Sequence, residues 1–251
     1  MTNCKPAATP AVKESRENIS QESNSINTEF PFRQAVGALS YLMVATRPDI
    51  AFSISVVSRK IENPSTEDVI KVKRIMRYLK GTESRGLIYK RSVSTGLESY
   101  SDADHGGDLD TGHSTSGILC LLHWSLVSWE SKKQKSVALS STEAELVADS
   151  EACREMVWLK RLVGQLTSPH HTPTLYVDNE GAVKLAHNPP YEYHRRTKHI
   201  RLRYYYVREC VNDGVLKVEQ VPAEEQLADM LTKPLFKPRL AFLSQKIGLS
   251  P

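Results

Sequence analysis

The sequence has no uninterrupted apolar run long enough to cross a bilayer, which takes about 20 residues as a helix, so no membrane partner is expected. Its amino terminus has no charged-then-apolar signal pattern. Cys4, Cys120, Cys153 and Cys210 are too far apart for a zinc pattern. Nothing in their spacing suggests a secreted disulfide framework, so they read as reduced thiols of an intracellular protein. No internal repeat is present. Residues 1–30 almost lack large apolar side chains and are rich in Ser, Asn, Glu, Thr and Pro. Such a stretch cannot bury enough surface to offset its ordering entropy, and a disordered linker is expected there.

What remains is an ordinary globular composition. The 251 residues are 40% apolar and 25% charged, enough for one large or two small domains. The net charge of +4 suits a nucleic-acid partner without proving one. Residues 31–92 read as a small helical segment. Val36, Leu39, Leu42 and Met43 form one stripe, and Pro48 opens a second helix with Ile50, Ile54 and Val57. Ser65 can cap a third, with Asp68 three residues on and Gly81 as its stop. Its basic residues, Lys71, Lys73, Arg74 and Arg77, read as a solvated face. From Gly86 short β-rich runs follow: GLIYKR, LESYSD, SGILCLL and LVSWES. A long helix is expected over 141–166. After it come a strand at 174–177, a short helix at 181–187, a helix at 197–211, a strand at 215–221 and a terminal helix from Ala223. Strands first, then alternating helix and strand, give an α/β mixed sheet with flanking helices.

The stretch SYSDADHGGD, 99–108, organises the second half. Leu97, Ser99 and Ser101 alternate with Glu98, Tyr100 and Asp102 before the strand breaks at Gly106-Gly107. An acid at a strand exit can bind a metal if other carboxylates converge on it. Glu145, Asp178 and Asp229 are the candidates. On the long helix, Ala144, Ala148, Ala152, Met156, Leu159, Leu162, Val163 and Leu166 share one face at about 100° per residue. Glu145 lies at the edge of that face. Glu143 is expected nearly opposite, toward solvent, as a first-turn acid favoured by the helix dipole. Asp104 shares Asp102's strand face and reads as a cap of the following turn.

Block by block, SYSDAD, VSWESKKQKSVALSSTEAELVA, LYVDNEGAVKLA, HRRTKHIRLRYYYVRE and VPAEEQLADMLTKPL resemble the ribonuclease H domain of copia-type LTR retrotransposon polyproteins. FRQAVGALSYLMVATRPDIAFSISVVSRKI resembles the segment after the reverse transcriptase palm in those polyproteins. The resemblance implies a ribonuclease H-like mixed five-stranded sheet over 93–251, preceded by a thumb or connection element over 31–92. It implies a metal-dependent endonuclease cutting the RNA strand of RNA–DNA hybrids, with Asp102, Glu145, Asp178 and Asp229 as catalytic residues and metal ligands. Four such acids imply two Mg²⁺ ions, or Mn²⁺, roughly 4 Å apart across the scissile phosphate. Without metal the carboxylates would repel one another, which makes the cluster unlikely as mere structure. Two departures stand out. VPAEEQLAD lacks the His that many ribonucleases H carry before the last acid, and His105 stands where related sequences usually have Trp.

The expected partner is an RNA–DNA hybrid, with the reverse transcriptase palm absent from this chain and localisation in a cytoplasmic particle or the nucleus. The segment 194–208 has six Arg or Lys and no acid. On a helix, Ile200, Tyr204, Val207 and Val211 form one stripe, with Lys198, Arg201 and Arg208 expected opposite. Arg196, Lys198, Arg201 and Arg208, with Lys132 and Lys133 on a basic loop beside Trp129, are the candidate phosphate contacts. Tyr176-Val177-Asp178-Asn179 imitates a polymerase turn, but EGAVKLA after it reads as helix where a polymerase needs a strand. The serious alternative is a catalytically silent or domesticated nucleic-acid-binding relic.

Overall fold

The computed structural model describes residues 4–13, 30–89, 96–166, 171–187 and 198–250, without the side chains of 198–201. They divide into two compact units, Met1–Ile88 with Lys233–Pro251, and Tyr89–Thr232. Among the described residues no helix is long and apolar enough to cross a membrane.

In the first unit, α1 (Phe32–Ala45), a 3₁₀ turn (Pro48–Ile50), α2 (Ala51–Ser58) and α3 (Thr66–Lys80) pack together. Val36, Leu39, Ile54, Val57, Val72 and Ile75 are buried. The Ser65 hydroxyl accepts from Asp68 N at 3.2 Å, and Asp68 Oδ2 accepts from Ser65 N at 2.9 Å, a complete capping box. Two findings depart from the sequence reading. Residues 4–13, inside the stretch expected to be a linker, lie along α3. Arg77 Nε donates to Lys5 O (2.7 Å), Lys80 Nζ to Cys4 O (3.1 Å) and Arg74 Nη2 to Thr9 Oγ1 (3.0 Å). Basic side chains read as a solvated face therefore bind the chain's own carbonyls and hydroxyl, which a composition argument cannot see. The second departure is at the carboxyl terminus. β1 (Gly86–Leu87) pairs antiparallel with β7 (Leu249–Ser250), after α8 (Lys237–Lys246). The strand expected at GLIYKR thus lies outside the main sheet, and residues 233–251 belong with the first unit rather than with the domain expected over 93–251.

The second unit holds the mixed five-stranded sheet, in the order β4 (Ser125–Lys133), β3 (Thr115–Leu122), β2 (Leu97–Asp104), β5 (Thr174–Val177), β6 (Lys217–Gln220). β4, β3 and β2 run antiparallel, while β5 and β6 continue parallel to β2. The helices are α4 (Ser141–Leu166), α5 (Glu180–His187), α6 (Lys198–Asn212) and the single turn α7 (Asp229–Thr232). Ile118, Cys120, Met156, Leu175, Val177 and Val218 belong to the main core. Parallel β2 and β5 leave their carboxyl ends at one edge, where open α/β sheets place ligands.

Candidate active site

β2 carries the first acid to that edge. Its Leu97–Ser99–Ser101–Ala103 face takes α4: Ser101 Oγ donates to Asp149 Oδ1 at 2.7 Å, and Ala103 clusters with Ala138, Ala144 and Ala148. These small side chains let the start of the helix approach the strand closely. Tyr100 and Asp102 stand on the other face. Tyr100 is the register partner of Tyr176 on β5, with ring centroids 5.0 Å apart, and the β2–β5 register ends there. Two residues further along each strand, period two brings Asp102 and Asp178 to adjacent places beyond the last pair.

α4 supplies the second carboxylate from Glu145, its fifth residue. Carboxylate oxygens of Asp102, Glu145 and Asp178 lie within 4.8 Å of one another. Glu143 does not point to solvent as expected. It is buried, and its Oε2 accepts from Leu139 N at 2.8 Å while Ser140 Oγ accepts from Glu143 N at 3.1 Å. The helix-wheel argument assumed one dry face. The amino-terminal half of α4 is dry on both, because Leu146 also packs with Leu185 of α5 and Tyr204 of α6. Asp149, one turn after Glu145, was not singled out from the sequence. Burial, then the neighbouring charges of Asp178 and Asp102, push its carboxyl up to about 7, against the lowering bond from Ser101.

Asp229 was expected inside a helix running from Ala223. Instead a 3₁₀ turn (Ala223–Glu225) ends at Gln226 in an extended conformation, and α7 begins at Asp229 itself. Asp229 is buried but lies outside the 4.8 Å set. The turn is held against the sheet from three sides. Thr232 Oγ1 donates to Asp102 Oδ2, Ser131 Oγ donates to Leu231 O at 2.6 Å, and Gln226 Nε2 donates to Ser101 O at 2.9 Å. Gly117, the β3 partner of Asp102, makes the approach possible. A Cβ there would lie 2.7 Å from Thr232 Cγ2, 2.9 Å from Leu231 Cβ and 3.0 Å from the Ala228 carbonyl oxygen. Gly117, Ser131, Gln226 and Thr232 were all missed. Only the QLADMLT context of Asp229 pointed at two of them. The Asp104 carboxylate accepts from the N–H of Thr115, its cross-strand partner on β3, and also lies close against Gly107 of the following turn.

The candidate phosphate contacts divide. Lys132 and Lys133 sit on strand β4 rather than a loop. Both face acids, Glu130 at 3.2 Å and Asp108 at 2.6 Å. Arg208 is not opposite the apolar stripe of α6. Four residues from Tyr204, it lies on the same side, its guanidinium 5.9 Å from the Tyr204 ring centroid. Lys198 and Arg201 belong to α6, but their side chains, like all of Arg196, lie outside the described residues.

Strand order, strand directions and a carboxylate cluster at the ends of β2 and β5 make the second unit a ribonuclease H-like α/β domain. Among solved structures, LC11-RNase H1, isolated from compost by a metagenomic approach, is 15% identical with a TM-score of 0.43, over 55% of this chain and 94% of that one. No family model matches the chain. Homologues of the chain over its full length are copia-type Pol polyproteins from transposons. The chain is 41% identical to the retrovirus-related Pol polyprotein from transposon TNT 1-94 of Nicotiana tabacum and 38% to that from transposon RE2 of Arabidopsis thaliana, each over 99% of its length. It spans 19% and 17% of those two proteins. It is also 49% identical over 129 residues to the secreted RxLR effector protein 161 of Plasmopara viticola, covering 51% of this chain and 91% of that protein.

Proposed function

We propose that the second unit is a divalent-cation-dependent endonuclease that hydrolyses the RNA strand of RNA–DNA hybrids, as part of a copia-type reverse transcriptase acting inside the cell. The observation that carries this reading is the meeting of Asp102, Glu145 and Asp178, from three separate elements, within 4.8 Å. Clustered like charges at a partly buried edge oppose folding unless something offsets them. The donor set fits a hard cation: it is all carboxylate oxygen, with neither His nor Cys, which favours Mg²⁺ or Mn²⁺ over zinc. Asp102, Glu145 and Asp178 would hold the ion, with Asp229 as the fourth ligand. When bound, such ions supply an activated water and charge stabilisation at the leaving oxygen.

The chain's own residues do the rest. Thr232 fixes the orientation of the Asp102 carboxylate through its hydroxyl. Gly117 gives α7 room against the strand. The basic residues of α6 are proposed to meet phosphates and set hybrid affinity rather than rate.

The test is cleavage of a labelled RNA–DNA hybrid with Mg²⁺ and with a chelator. Mg²⁺-dependent shortening of the RNA strand alone is expected. Hybrid binding without cleavage in Mg²⁺ or Mn²⁺ would favour the catalytically silent relic instead.

A further inference from the structure

We propose that Gln226 is a positioning residue that sets Asp229 against Asp102 and so completes the cation site, an inference resting on the metal-dependent reading above. Its side chain is fully buried, at 0% exposure, in a segment whose neighbours Glu224 and Glu225 are exposed. Both ends of the amide are used. Nε2 donates to the carbonyl of Ser101 at 2.9 Å, and Oε1 accepts from the backbone N–H of Ala228 at 3.2 Å. Ser101 is the residue before Asp102, and Ala228 is the residue before Asp229. One planar amide thus spans the two backbones that carry two of the four acids, although 125 residues of chain separate its donor and acceptor across that bridge.

The place of the bond matters. The β2–β5 register stops at Tyr100, and the Ser101 carbonyl is one residue beyond it. Gln226 thus donates to β2 just past its last pair with β5, one residue before Asp102. The same side chain fixes where α7 starts. Gln226 has an extended backbone, φ −66° and ψ 105°, which ends the preceding 3₁₀ turn and turns its own side chain back to cap Ala228. Asp229 is thereby the first residue of α7 rather than a mid-helix residue with a different direction. Only a group with a donor and an acceptor at opposite positions of one short plane satisfies both partners. Glu keeps the acceptor and loses the donor, Met loses both at similar volume, and Asn is a methylene too short.

Residues that orient metal ligands without touching the ion typically change affinity or activity by roughly 10–100-fold when replaced. The experiment uses the full chain as wild type, Gln226→Met, Gln226→Glu, Asp229→Asn and the double variant Gln226→Met/Asp229→Asn. Mn²⁺ affinity is read by calorimetric titration, without nucleic acid, and hybrid cleavage is read separately. The expected result is a roughly 10–100-fold loss of Mn²⁺ affinity in both Gln226 variants. In the double variant, Gln226→Met should add less than about twofold to the loss caused by Asp229→Asn, because it acts through that residue. Full additivity in the double variant overturns the proposal, as does wild-type Mn²⁺ affinity in Gln226→Glu. If Gln226→Met does not fold, Gln226→Glu decides alone by its Mn²⁺ affinity. A wild-type protein that binds Mn²⁺ but cuts no hybrid sinks the nuclease reading and leaves this test standing.

Discussion

Each unit of the molecule buries a cluster of charged groups, and the two clusters are opposites. In the first unit, Arg47 and Asp49 are 5% and 2% exposed. The guanidinium grips the carboxylate with two bonds, at 2.9 and 2.7 Å, and also donates to the Thr82 carbonyl and hydroxyl at 3.1 and 2.7 Å. The Tyr78 hydroxyl donates to Asp49 at 2.6 Å, and burial followed by the Asp49 charge keeps it protonated. Every charge there meets its complement. In the second unit Asp102, Glu145 and Asp178 meet one another, with Asp149 behind them. The first arrangement staples the loops between helices. The second sets like charges against one another and opposes folding, which is why it is proposed above as a cation site. Burial of charge alone therefore separates nothing; the sign of the neighbours does.

The largest expected effect comes from breaking the first cluster. Asp49→Ala leaves Arg47 and Tyr78 buried beside a lost partner, and should cost about 3–5 kcal/mol in urea denaturation. Asp178→Asn should cost nothing in chelator, since it removes a repelling charge. Equal destabilisation by both would erase the distinction. Next comes pH. The Asp149 carboxyl sits at about 7 in the folded protein, above its ordinary 3.8. A raised carboxyl stabilises fully below its ordinary value, and that contribution is lost as pH rises through about 7. Metal-free wild type should therefore weaken between about pH 4 and 7 by more than Asp149→Asn does, by about 1.4 kcal/mol per unit of separation between the two values. Parallel urea curves for the two proteins would contradict the burial of that acid among like charges.

Gly117→Ala tests the geometry beside the acids rather than their charge. A methyl 3.0 Å from the Ala228 carbonyl forces α7 outward, at about 1–3 kcal/mol, and should lower cleavage as well. Unchanged cleavage would mean that α7 is not part of the site. The smallest effect is expected far from either cluster. His123 and Trp124 make the β3–β4 turn at φ 51° and 63°, where glycine or asparagine is at ease. Trp124→Gly should relieve that strain and stabilise by about 1 kcal/mol in urea, without changing cleavage.

Local features were legible in the sequence. Ser65 and Asp68 cap α3 because both partners lie within one turn. The strand alternation around Asp102 and the helix–strand order of 141–220 needed only periodicity, while the resemblance put forward four acids, of which Asp102, Glu145 and Asp178 lie within 4.8 Å of one another. Features depending on a distant or double partner were not legible. Glu143 is buried because α4 is covered on two sides, which a single helix wheel cannot contain. Gly117 matters because residues 228–232 land on it. Arg74 and Arg77 looked solvent-facing until residues 4–13 lay against them. The Arg47 cluster was overlooked for the same reason: its two halves are separated by 29 residues between Asp49 and Tyr78.

The most direct measurement of the central claim is the thermal transition of the wild type and Asp178→Asn with Mn²⁺ and with chelator, at one pH. A ligand bound only by the folded state adds about 2.7 kcal/mol at 100 times its dissociation constant. Wild type should gain stability in Mn²⁺ and Asp178→Asn should not, while in chelator the variant should be at least as stable as wild type. Equal Mn²⁺ stabilisation of both proteins, or of neither, would contradict the assignment of Asp102, Glu145 and Asp178 as a cation site.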